Sequence, residues 1–161
     1  LNTLKNAVVR YLTKRNEYVS AKVILKSIRN EDFFDSLYET EINGGYVLLG
    51  ILQDDKRFLY ERGLMIGLRS EAFTGKFTSL EDEMLDFFRT EKRAISVAEI
   101  IRHFASTREL INPSVCNRLQ KDKNYRSVGT KFILAEIADS DEYKESQQNE
   151  ILDQLDKDLF D

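Results

Sequence analysis

The chain repeats itself, and that repeat limits what it can fold into more than any single motif. Displaced by 76 positions, Leu4–Ile28 falls on Leu80–Phe104 without a gap. Leu4, Val8, Val9 and Leu12 land on Leu80, Met84, Leu85 and Phe88. Val19-Ser20-Ala21 lands on Ile95-Ser96-Val97, and Ile24, Leu25 and Ile28 land on Ile100, Ile101 and Phe104. At a displacement of 67, Leu52-Gln53-Asp54-Asp55-Lys56-Arg57-Phe58 falls on Leu119-Gln120-Lys121-Asp122-Lys123-Asn124-Tyr125. The first copy therefore carries nine extra residues between the two matching blocks. Self-similarity in fixed order is the mark of a duplicated structural unit. With 161 residues, 42% of them hydrophobic, each copy has material for its own small core. The expected organisation is a first copy over 1–72, a second over 73–135 and a tail over 136–161, with the join near Ala72–Phe77.

Each copy reads as helix, short strand, helix, helix and then a strand hairpin. In the second copy Thr78 and Glu81 form a capping-box pair opening a helix toward Thr90. The apolar positions Leu80, Met84, Leu85, Phe87 and Phe88 repeat at mostly helical spacing. Ala94-Ile95 makes a brief strand, and Ser96 with Glu99 starts a helix through about Ala105. Asn112-Pro113 supplies a cap and a first-turn proline for a third helix through about Lys121. Tyr125, Val128, Phe132 and Leu134 around Gly129 predict two strands and a turn, as do Arg57–Tyr60 and Leu64–Leu68 around Gly63. Three helices followed by a β-hairpin is the winged-helix plan, with the second and third helices as the helix-turn-helix and the hairpin as the wing. The expected fold class is α+β, mainly α: two tandem winged-helix domains, three helices plus a β-hairpin each, and an acidic C-terminal tail or helix. A generic small α+β repeat is the alternative.

Asp55-Lys56-Arg57-Phe58-Leu59 and Gly67-Leu68-Arg69-Ser70 resemble the D-G-R-F-L and G-L-R-S elements around the wing of the HARE-type helix-turn-helix domain. That domain is the winged-helix module at the start of the bacterial RNA polymerase delta subunit, and Leu52 matches the apolar end of its preceding helix. The likeness covers about Leu1–Glu71. Ile66 and Glu71 stand where that family has tryptophans, and the second copy lacks the G-L-R-S element. The resemblance implies a transcription or chromatin setting, DNA or a large protein assembly as partner, and no catalytic activity.

A formal charge of −4 argues, taken whole, against a nucleic-acid partner. Its distribution argues otherwise. Residues 1–72 hold 11 basic and 10 acidic side chains, residues 73–135 hold 11 and 8, and residues 136–161 hold 2 and 10. The acidity sits in the tail. In a DNA-binding winged helix the third helix enters the major groove and the wing touches phosphate. The second copy offers Asn112, Ser114, Asn117, Arg118, Lys121 and Lys123 on and after that helix. Asn117, Arg118 and Lys121 have the donors that base edges or phosphates require, and Arg126 and Lys131 sit on the wing. Double-stranded DNA is the expected partner. In the first copy Gly44–Leu52 carries no charge, so base reading is not expected there. Most of that run is read as core, or as part of a contact surface. Lys56, Arg57 and Arg62 near its wing are candidate phosphate contacts.

In the tail, Ile151, Leu152, Leu155, Leu159 and Phe160 fall near helical spacing between Asp153, Asp156 and Asp158. This is an amphipathic helix that docks on the body or on a partner, or else a solvated linker. No catalytic constellation, cofactor or metal site is legible. His103 is the only histidine and reads as a surface or boundary residue rather than a base; Cys116 is the only cysteine and reads as packed on the core. Neither G-x-x-x-x-G-K-[ST] nor G-x-G-x-x-G occurs. A single cysteine fits a reducing compartment, and the longest apolar run is too short for a bilayer. An intracellular location follows as the expectation: bacterial cytoplasm or nucleoid, or a nucleus. A chain that begins at Leu1, with no signal-peptide pattern behind it, is expected to be a piece of a longer protein. Two functions compete. One is a non-catalytic DNA-binding module read mainly by the second copy. The other is a protein-interaction module, a polymerase- or chromatin-associated scaffold using the apolar third helix of the first copy and the acidic tail.

Overall fold

The structure, a computed structural model, describes residues 2–28 and 44–160. The nine extra residues of the first copy lie between Ile28 and Leu52, largely in 29–43, outside the described residues. Among the described residues the fold is α+β and mainly helical, with two small antiparallel sheets of three strands each.

The chain divides into two compact units, Leu1–Ser79 with Ile101–Leu110, and Leu80–Ile100 with Ile111–Asp161. The first holds α1 (Asn2–Arg15), β1 (Val19–Ser20), α2 (Ala21–Ile28), α3 (Gly44–Leu52), β2 (Phe58–Glu61) and β3 (Met65–Leu68). The sheet order is β1-β3-β2, with Val19 opposite Ile66 and Phe58 opposite Leu68. Ile101–Leu110 belong with this unit, where the Ser20 amide donates to the Thr107 carbonyl at 2.8 Å. The second unit begins with α4 (Leu80–Glu91), β4 (Ile95–Ser96) and the first half of α5 (Val97–Phe104), whose residues from Ile101 are those grouped with the first unit. It continues with α6 (Asn112–Lys121), β5 (Tyr125–Val128), β6 (Lys131–Leu134), α7 (Ala135–Ala138) and α8 (Asp141–Phe160). Its sheet order is β4-β6-β5, with Ile95 opposite Phe132 and Tyr125 opposite Leu134.

The duplication can be followed bond by bond. α1 and α4 both end in a residue of positive φ, Asn16 (52°) and Lys92 (54°). Their amides close the helices on Leu12 O (2.8 Å) and Phe88 O (3.0 Å). Such a left-handed residue satisfies carbonyls that the helix leaves open. The Ser20 and Ser96 hydroxyls accept from the amides three residues on, Val23 (3.3 Å) and Glu99 (3.1 Å), capping α2 and α5. Asp55 and Asp122 accept from the amides two residues on, Arg57 (3.0 Å) and Asn124 (2.9 Å), turning each chain into its hairpin. Core positions follow suit. Val8, Leu12, Val19, Ile24, Leu52, Phe58, Ile66 and Leu68 are buried in one unit; Met84, Phe88, Ile95, Ile100, Leu119, Tyr125, Phe132 and Leu134 are buried in the other.

Differences from expectation have local causes. α4 begins at Leu80, and the Thr78 carbonyl accepts from Arg108 Nη2 at 2.8 Å. α6 begins at Asn112 itself. Ile111 occupies the cap position without a side-chain cap, so Asn112 is not the capping residue and Pro113 lies within the first turn. The Asn112 Oδ1 instead accepts weakly from the Cys116 thiol, at 3.5 Å. The hairpins differ by one residue: Arg62-Gly63-Leu64 joins β2 to β3, and Gly129-Thr130 joins β5 to β6. Gly129, at φ 64°, opens a two-residue turn where glycine fits the mirror-image geometry that hairpins favour. The tail is more helical than its composition indicated, since α8 begins at Asp141, ten residues before Ile151.

Candidate nucleic-acid interface

α6 is the element on which the candidate site rests. Val115 and Leu119 are buried and fix its orientation. With those two facing the core, a period of 3.6 turns Ser114, Asn117, Gln120 and Lys121 outward, and all four are exposed. α6 contains no carboxylate over its ten residues. Gln120, absent from the residues expected at the site, lies three residues beyond Asn117 and shares its face. An amide at such a position can bind the edge of an adenine with both its donor and its acceptor.

The remaining candidates do not form one basic surface with that face. Arg118 turns sideways, and its guanidinium is paired with Glu81 in the first turn of α4. Arg126 is paired with Asp139, just beyond α7, through Nη1–Oδ1 at 2.7 Å and Nη2–Oδ2 at 3.2 Å. This fork holds the Asp139 carboxyl below the usual range and raises the Arg126 guanidinium. Directly opposed residues of an antiparallel pair share a face. Arg126 opposite Ile133 and Val128 opposite Lys131 therefore form one face, while Ser127 opposite Phe132 forms the other. Ser127 and Phe132 line a cleft of about 440 Å³ with Asn112, Cys116, Gln120 and Thr130. Arg126 and Lys131 thus leave the sheet on the side away from the cleft beside α6. Lys121, Lys123 and Lys131 are exposed and make no ion pair among the described residues. Cys116 is half-buried at the cleft rather than packed in the core.

Compared with family models, with curated proteins and with solved structures, the chain finds no match.

In the first unit, Leu48 and Leu52 of the uncharged α3 are buried, Leu49 and Ile51 half-buried, and Tyr46 is 61% exposed. The first-unit counterparts of Asn117, Gln120 and Lys121 are Gly50, Gln53 and Asp54, so the matching face has no cation. Arg57 is held by Asp55, with Nη2–Oδ2 at 2.7 Å, and lies over the Phe58 ring at 5.7 Å. Hydrogen bonds from Arg57 pull the Asp55 carboxyl down to about 2. Lys56 and Arg62 are exposed.

On α8, Ile151, Leu152, Leu155 and Leu159 are 61, 58, 52 and 77% exposed. They do not dock on their own unit. The side chain of Phe160 lies outside the described residues. His103 is exposed, its ring edge-on to Phe104 at 4.8 Å. No cluster of three or more metal-ligating side chains occurs among the described residues, and none of their helices is long and apolar enough to cross a membrane.

Proposed function

We propose that this chain is a non-catalytic DNA-binding module of a transcription or DNA-processing protein, built from tandem winged helices and read mainly through α6. The connectivity supports this reading. In each unit a short strand between the first two helices pairs with the last strand of a hairpin that follows the third helix. A third helix facing solvent just before a hairpin is the arrangement that a winged helix presents to the major groove. The observation that carries the proposal is the solvent face of α6: Ser114, Asn117, Gln120 and Lys121, with donors on every side chain and no acid along the helix. DNA repels carboxylates and is read by amides and cations, so this face has the right chemistry.

The test is duplex binding by point variants of the whole chain. Lys121→Ala lowers affinity on all sequences and reduces the salt slope by about one, as loss of a phosphate contact does. Asn117→Ala costs about 1–3 kcal/mol and relaxes preference at one base pair. Arg118→Ala does less than either, because Glu81 already holds that guanidinium. If Arg118→Ala exceeds Lys121→Ala in effect, α6 does not face DNA as proposed.

The exposed apolar side chains of α8 favour a second reading, a protein-interaction module, since contiguous exposed hydrophobic groups mark contact surfaces.

A further inference from the structure

We infer that α8 is a docking helix for a basic amphipathic helix of another protein; this rests on the interaction reading above and names the partner's chemistry. Ile151, Leu155 and Leu159 recur every four residues, and Leu152 lies three before Leu155. All four therefore fall on one stripe about 12 Å long at the helical rise. None is covered: they are 61, 52, 77 and 58% exposed in the order named. A stripe of leucine and isoleucine at these spacings is the seam that helices use to pack side by side.

Charge decides what fills it. α8 carries seven acidic side chains and two lysines. Asp156, four residues after Leu152, and Glu145, seven before it, border one edge of the stripe. Asp158, seven residues after Ile151, borders the other, where its Oδ1 accepts from Gln154 at 3.1 Å. Lys157 projects from the far side. Lys144 extends the stripe seven residues N-terminal to Ile151, beyond the apolar cluster. A second copy of α8 would set acidic edge against acidic edge in either direction, and like charges flanking a seam oppose pairing. An anionic lipid surface repels the same carboxylates. An apolar stripe bordered by lysine or arginine meets both features at once, burying the leucines and pairing the acids.

Two helical peptides with the same leucine stripe, one flanked by lysine and one by glutamate, test this against the full chain at about 150 mM salt. The lysine-flanked peptide binds and the glutamate-flanked one does not. Leu155→Asp or Leu159→Asp weakens that binding at least about tenfold. Asp156→Lys with Asp158→Lys reverses the preference between the peptides. Both positions are exposed, so these variants keep the fold, which circular dichroism checks. Equal binding of the two peptides overturns the basic-partner assignment. No binding of either overturns the docking role itself. Binding of the lysine peptide that survives Leu155→Asp reduces α8 to a diffuse acidic charge. A dimer at neutral pH that Leu155→Asp dissolves assigns the stripe to a second copy instead.

Discussion

A Cβ on Gly67 would sit 2.6 Å from the Tyr18 ring, closer than side-chain atoms pack. Tyr18 cannot yield easily, because its ring is edge-on to Phe73 (5.7 Å) and Phe77 (5.8 Å). The second unit solves the same space the other way, with Ala94 where the first has Tyr18 and Ile133 where it has Gly67. Gly67→Ala is therefore expected to destabilise the protein by roughly 1–3 kcal/mol, read as a lowered Tm. Gly50→Ala, in α3 with nothing within 4 Å of the added methyl, is expected to stabilise it by about 1 kcal/mol. Asp55 makes a pH prediction. Its folded pKa is about 2 against an ordinary 3.8, so the stabilisation from its bonds to Arg57 is complete above the ordinary value and is lost as pH falls toward 2. NMR titration of the Asp55 carboxyl should give that low value, and Arg57→Ala should return it toward the ordinary one. Gly67 is legible in the sequence as part of G-L-R-S, but the reason for a glycine there is not, since Tyr18 is far away in sequence and only the sheet brings the two together.

At the scale of elements, helix periodicity and serine caps were readable because neighbours in the chain set them. Ser96 caps α5 as expected, and the hairpin at Gly129 is where the turn residue put it. Lys92 could be found only through the duplication. It falls on Asn16, a residue that tolerates left-handed backbone, whereas lysine pays a steric cost there. Lys92→Gly is expected to raise stability by about 0.5–1 kcal/mol in thermal or urea unfolding. The facing of α6 was less legible. A list of donor side chains does not orient the helix; burial of Val115 and Leu119 does, and it turns Gln120 outward and Arg118 toward Glu81. The register of β5 and β6 likewise separates Arg126 and Lys131 from the cleft, and register is not visible in a list of basic residues.

At the scale of the whole molecule, the proposed nucleic-acid face belongs to a chain of net charge −4. The excess of acid lies after residue 135, and part of it is already engaged: Arg89 pairs with Glu136 at 3.1 Å and Arg126 with Asp139 at 2.7 Å. Both pairs are exposed. Titrating the intact chain onto duplex DNA across a range of salt tests the proposed role of α6. Binding is expected at about 50 mM salt, falling linearly on a log–log plot and flattening by about one unit with Lys121→Ala. No duplex binding at that salt, with or without residues 136–161, would contradict it.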